Sequence, residues 1–110
     1  MSTYSKLSKE TKKYYERELK QYNQNKKILK NVSRKNKINT RRLLFLENRI
    51  TNIDIVIKQL SPFEQEVFDM IFNKKYDWLY CKTMKNIDKN TYYNIINKAI
   101  YMLAKEEGEI

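Results

Sequence analysis

Ile87-Asp88-Lys89-Asn90-Thr91-Tyr92-Tyr93-Asn94-Ile95-Ile96-Asn97-Lys98-Ala99-Ile100-Tyr101-Met102-Leu103-Ala104 is the stretch from which the rest of the chain can be read. Taken as a helix with Asp88 as its N-cap, it gathers Tyr92, Ile95, Ile96, Ala99, Ile100 and Leu103 on one side, the i, i+3, i+4, i+7 recurrence of a core-facing stripe. The opposite side carries Asn90, Asn94, Asn97, Lys98 and Tyr101. A helix that buries one face and offers amides and a lysine on the other has the chemistry of a helix that reads nucleic acid.

Working back from it, Asp77 caps a short helix through Met84 that contains Trp78, Leu79 and Cys81. Met84-Lys85-Asn86-Ile87 forms the connection, with Ile87 placed to staple the next helix start. Before this pair, Ser61-Pro62-Phe63-Glu64 combines serine at an N-cap, the only proline at N1 and glutamate at N3, a capping box. The helix it opens is expected to reach about Asn73, with Phe63, Val67, Met70 and Ile71 inward and Gln65, Glu66 and Asp69 outward. Phe72 falls off that stripe, so it either meets the N-terminal helices or marks a partner surface. Gly108, the only glycine, suits a C-terminal stop.

Further upstream, Leu43, Leu46, Ile50, Ile53, Ile57 and Leu60 recur at alternating three and four, widened by Leu44, Ile55 and Val56, and predict a helix over residues 41–60. It either packs on the first helix as a hairpin or pairs with its counterpart in a homodimer; the repeat is too short to require a coiled coil. Residues 31–40 read as a basic loop or frayed continuation, with Asn39 or Thr40 as the next N-cap. Residues 3–30 predict one amphipathic helix on a thin seam of Tyr15, Leu19, Tyr22, Lys26 and Leu29, with Lys26 where an apolar residue is expected. The fold class is therefore all-α: an N-terminal helical hairpin or coiled-coil-like pair over residues 1–60, then a three-helix bundle with a helix-turn-helix over residues 61–110.

The charge is unevenly placed. The net +10 of the 110 residues resolves into 14 Lys+Arg against 3 Glu in residues 1–42 and 9 against 10 acidic residues in 43–110. Such a basic half favours a polyanion, most simply double-stranded DNA, over an anionic membrane surface. Lys12, Lys13, Arg17, Lys20, Arg34, Lys35, Arg41 and Arg42 are the phosphate-contact candidates, weighed against a merely solvated basic face.

Catalysis has little to work with. There is no histidine, one glycine excludes a phosphate-cradling loop, and Glu64, Glu66 and Asp69 near a helix start are explained by the helix dipole. The expectation is a non-enzyme without cofactor or metal. Cys81 reads as a small core residue, and a single cysteine fits a reducing cytoplasm. No apolar run approaches the length of a membrane span.

Residues 60–110 resemble a sigma-70 region 4 type helix-turn-helix, and more narrowly the RinA and ArpU families of phage-encoded transcriptional regulators. The resemblance is carried by Leu60-Ser61-Pro62-Phe63-Glu64-Gln65-Glu66, Phe72-Asn73-Lys74-Lys75, Asp88-Lys89-Asn90-Thr91 and Leu103-Ala104-Lys105-Glu106-Glu107-Gly108-Glu109. It implies an activator of late phage genes whose recognition helix enters the major groove, with Lys89, Asn90, Tyr93, Asn94, Asn97 and Lys98 facing DNA. An activator of that kind touches host RNA polymerase or a sigma subunit; Glu64, Glu66, Asp69 and Phe72 are the partner-contact candidates. Two rivals are a small terminase subunit that recognises a packaging site as a large ring, and a helical interaction protein without specific DNA binding.

Overall fold

With one glycine and one proline in the chain, helices must be stopped largely by capping side chains. The computed structural model describes residues 7–35 and 40–109, and these are all-α, with no strand among them. In chain order the helices are α1 (Lys9–Lys20), α2 (Tyr22–Lys35), α3 (Thr40–Gln59), α4 (Pro62–Phe68), α5 (Trp78–Lys85) and α6 (Lys89–Glu106), with α4 running on into a π-helical turn over Asp69–Asn73. At the starts of α1, α4, α5 and α6, an oxygen of Ser8, Ser61, Asp77 or Asp88 accepts the backbone N–H three residues on. Each cap satisfies one donor that the helix itself leaves unpaired. At Ser61 the box is complete, since Glu64 accepts the Ser61 N–H at 2.9 Å.

The single helix expected over residues 3–30 is divided at Gln21, whose N–H is shared between the Arg17 and Glu18 carbonyls at 3.1 and 3.2 Å. Tyr15, Leu19 and Tyr22 are buried as the seam requires, but the next buried position is Asn25. Lys26 stays exposed, with its ammonium 4.7 Å over the Tyr22 ring. A lysine on the seam is thus accommodated by lying along the aromatic surface while its charge stays in water. Past residue 30 the basic stretch stays helical to Lys35; the Asn39 cap and residues 3–6 lie outside the described residues.

In α3 the buried line is Leu46, Arg49, Ile53 and Val56, continued by Leu60, while Leu43, Ile50, Ile55 and Ile57 are half-buried and Leu44 is exposed. The helix packs on α2 and on α6. A single cluster of buried side chains extends from Leu7 to Ala104, so residues on both sides of position 60 share one core.

Two expectations about α4 are corrected. Phe63 is 51% exposed rather than inward, and Phe72, a partner-contact candidate, is fully buried, in the turn that packs on the N-terminal helices α1 and α2, the other alternative open to it. The burial of Phe72 follows from the π-helical turn: the Lys74 N–H bonds the Asp69 carbonyl five residues back at 2.9 Å, and the Tyr76 N–H bonds that of Met70 at 2.9 Å; Phe63 precedes that turn and lies in the first turn of α4, at the end of its stripe. The wider turn rotates the following side chains. Met70, Ile71 and Phe72 consequently all face inward, and Phe72 meets Phe68 with ring centroids 4.7 Å apart.

At the centre lies α6, in contact with α1, α3, α4 and α5. Its expected stripe is buried throughout, with Ala104 added. It ends in a Schellman motif: Glu109 N–H to Ala104 O at 2.9 Å and Gly108 N–H to Lys105 O at 3.1 Å, with Gly108 at φ +82°. That left-handed position suits glycine.

Candidate nucleic-acid interface

The connection between α5 and α6 is three residues long, Asn86 to Asp88. Asn86 adopts φ 55°, ψ 40° and donates its N–H to the Lys82 carbonyl at 2.9 Å, closing α5. Asparagine is among the few residues that enter the left-handed region readily, and here it takes the place a glycine often fills. Ile87 then turns into the core and Asp88 accepts the Thr91 N–H at 2.7 Å, which starts α6. The Thr91 and Asn90 backbone N–H groups hold the Asp88 carboxyl below its ordinary range. Lys82 and Lys89 flank Trp78, their ammonium groups 5.3 and 5.8 Å from its ring.

Along α6 the outward face is open at its N-terminal end and progressively covered beyond. Lys89, Asn90, Tyr93 and Asn94 are exposed, whereas Asn97 and Tyr101 are half-buried. Lys98 is committed elsewhere: its ammonium donates to Glu64 Oε2 at 2.8 Å and to Oε1 at 3.0 Å. The first turn of α4 lies beside α6, so the cap carboxylate of Glu64 captures the lysine expected to face DNA. Burial alone would raise the Glu64 pKa, but Lys98 and the Ser61 N–H together hold it below its ordinary value.

Two grooves flank the open end. On one side a cleft of about 350 Å³ lies between α1, α6 and the loop that precedes α5, lined by Lys20, Lys75, Tyr76, Tyr92, Tyr93 and Ile96 among others. The Lys75 ammonium donates to the Lys20 carbonyl, at the C-terminal end of α1. Burial, with the nearby Lys20 charge, lowers its pKa. The second groove, about 540 Å³, lies between α4 and α6 and is lined by Phe63, Glu64, Thr91, Asn94, Ile95 and Lys98 together with Ser61.

Of the phosphate candidates, Lys13 and Arg17 on α1 and Arg41 and Arg42 on α3 are exposed, and Lys12 is half-buried. Lys20 is exposed with its ammonium 3.1 Å from Glu16. The side chains of Arg34 and Lys35 lie outside the described residues. The partner candidates divide. Glu64 is engaged by Lys98, Glu66 pairs with Lys85, and Asp69 accepts from Asn73 at 2.8 Å and lies 3.7 Å from Lys74. Phe72, buried, presents nothing to a partner.

Sequence reasoning missed Arg49. It is 3% exposed. Its guanidinium reaches Glu18 Oε1 at 2.5 Å, the Tyr14 hydroxyl at 2.9 Å and Glu107 Oε2 at 2.7 Å, tying α1 and the end of α6 to α3. Burial would lower its pKa, but Tyr14, Glu107 and Glu18 together raise it. Beside it, burial and the charges of Glu109 and Glu107 push the Tyr15 hydroxyl up to about 12. The only signal was position, since Arg49 falls three residues after Leu46 and four before Ile53 on the buried line.

Among the described residues, no group of three or more His, Cys, Asp or Glu side chains is placed to hold a metal ion, and no helix is long and apolar enough to cross a membrane. Compared with protein-family models, with curated proteins and with solved structures, the chain matches none.

Proposed function

We propose that this chain is a sequence-specific DNA-binding transcriptional regulator that inserts the N-terminal end of α6 into the major groove and holds the phosphate backbone with its basic N-terminal half. The observation that carries this reading is the exposure of Lys89, Asn90, Tyr93 and Asn94 at the start of a helix whose other side is buried. Helix-turn-helix proteins contact base edges from that end of the second helix. Asparagine amides bond adenine N6 and N7 bidentately, so Asn90 and Asn94 favour an A/T-rich site. Lys98 is a positioning residue, pinning α4 against α6 through Glu64.

The cleft shared by Lys20, Lys75 and Tyr93 supports joining the two halves in one surface, because it sets Lys20 of α1 beside a residue of the reading face. Exposed Lys13 and Arg17 supply attraction without sequence preference. The resemblance of residues 60–110 to sigma-70 region 4 and to RinA and ArpU regulators points to late phage genes as targets and to host RNA polymerase or a sigma subunit as the protein partner. Glu66 and Asp69, about half exposed even in their pairs with Lys85 and Lys74, are the carboxylates offered to it.

Selection of bound sequences from a random duplex pool at about 150 mM salt, where nonspecific binding is already weakened, tests the proposal. A reproducible A/T-rich motif is expected; recovery of no motif overturns it.

A further inference from the structure

The groove between α4 and α6 has an unusual lining. One wall carries the Asn94 amide; around it stand the Phe63 ring and the Thr91 and Ile95 side chains. Phe63 is 51% exposed, while Val67 and Phe68 of the same helix are buried. Its place, the second residue of α4, makes no demand for an aromatic, since the cap is made by Ser61 and Glu64. The charges in this groove are mutually satisfied, Lys98 by Glu64, so a phosphate would find no uncommitted cation on these walls.

An amide beside an apolar surface matches one base-edge pattern. In the major groove adenine presents N6 and N7, whereas thymine presents the C5-methyl, the one apolar feature of any base edge there. We infer that this groove is a thymine-methyl subsite: while Asn94 bonds an adenine, Phe63 and the Thr91 methyl pack on the methyl of a thymine in the same or the adjacent base pair. Helix α4, outside the helix-turn-helix proper, thereby becomes part of the reading surface. The inference rests on α6 being the base-reading helix; continuity favours DNA over an apolar side chain of a protein partner, because Asn94 belongs both to the groove and to the exposed face.

The test uses the full chain and the duplex that it selects. Each thymine of that site is replaced singly by uracil, which removes only the methyl. The wild-type protein is expected to lose about fourfold in affinity at one thymine, the worth of one buried methyl group. Phe63→Ala is expected to bind thymine and uracil duplexes alike at that position, with thermal unfolding close to wild type because the ring is half in solvent; Phe63→Leu should keep most of the difference. Indifference of the wild type to every uracil, or a full methyl penalty retained by Phe63→Ala, overturns the subsite and leaves α6 as the reading helix, the groove then being free for a protein side chain. Failure to select any sequence overturns the reading of α6 and the subsite with it.

Discussion

The Lys98 ammonium lies 2.8 Å from the nearer carboxylate oxygen of Glu64, so the outward lysine of the last helix is spent on holding α4 in place. Both groups are only partly exposed. The pair therefore acts on the geometry of the proposed reading surface rather than on its charge.

Glu64→Gln should show this in its pH dependence. A carboxylate whose pKa is lowered by folding contributes stability that is full above its unfolded value, 4.5, and is lost as pH falls through the lower folded value. Denaturant midpoints of wild type and variant should differ at neutral pH and converge as pH falls below 4.5 and on through the lower folded value. A gap that persists unchanged into acid would contradict the pairing.

Arg49 is the costliest single charge to remove. Arg49→Ala leaves Glu18 and Glu107 without their buried partner, and breaking such a network costs about 3–5 kcal/mol. Urea unfolding measures it; Arg49→Met combined with Glu18→Gln and Glu107→Gln should recover part of the loss, since no uncompensated charge then remains buried.

The turn before α6 is equally specific. Asn86→Val places a branched side chain at φ 55° and should cost about 1–2 kcal/mol in thermal unfolding. Asn86→Gly should leave stability unchanged or raise it, which separates backbone strain from loss of the asparagine side chain.

Most of α6 and the caps at Ser61, Asp77 and Asp88 were legible because each is a local pattern: a period of 3.6 or an oxygen three residues before the N–H it accepts. Phe63 and Phe72 escape the pattern for different reasons: Phe63 sits in the first turn of α4, at the exposed end of its stripe, and Phe72 sits in the π-helical turn. That turn adds a residue within a helix whose sequence reads as regularly periodic, and nothing in Asp69-Met70-Ile71-Phe72-Asn73 signals it. Arg49 and the capture of Lys98 depend on pairings of residues 31 and 34 positions apart, which no periodicity reveals. Phosphate candidates fared differently: charge asymmetry located the basic half, but Lys20 proves to share its charge with Glu16.

If Lys13 and Arg17 hold phosphates, Lys13→Ala with Arg17→Ala should weaken binding to all sequences alike and flatten the slope of log affinity against log salt by about 2, the counterions released at two contacts. An unchanged slope would mean that α1 faces away from DNA.

The most direct measurement is the binding-site profile of Asn94→Ala against wild type, obtained by selection from the same random pool. If the open end of α6 reads bases, preference relaxes at one base step, by about 1–3 kcal/mol of discrimination, while every other position keeps its preference. A profile identical to that of wild type, or one eroded equally at all positions, would contradict the account.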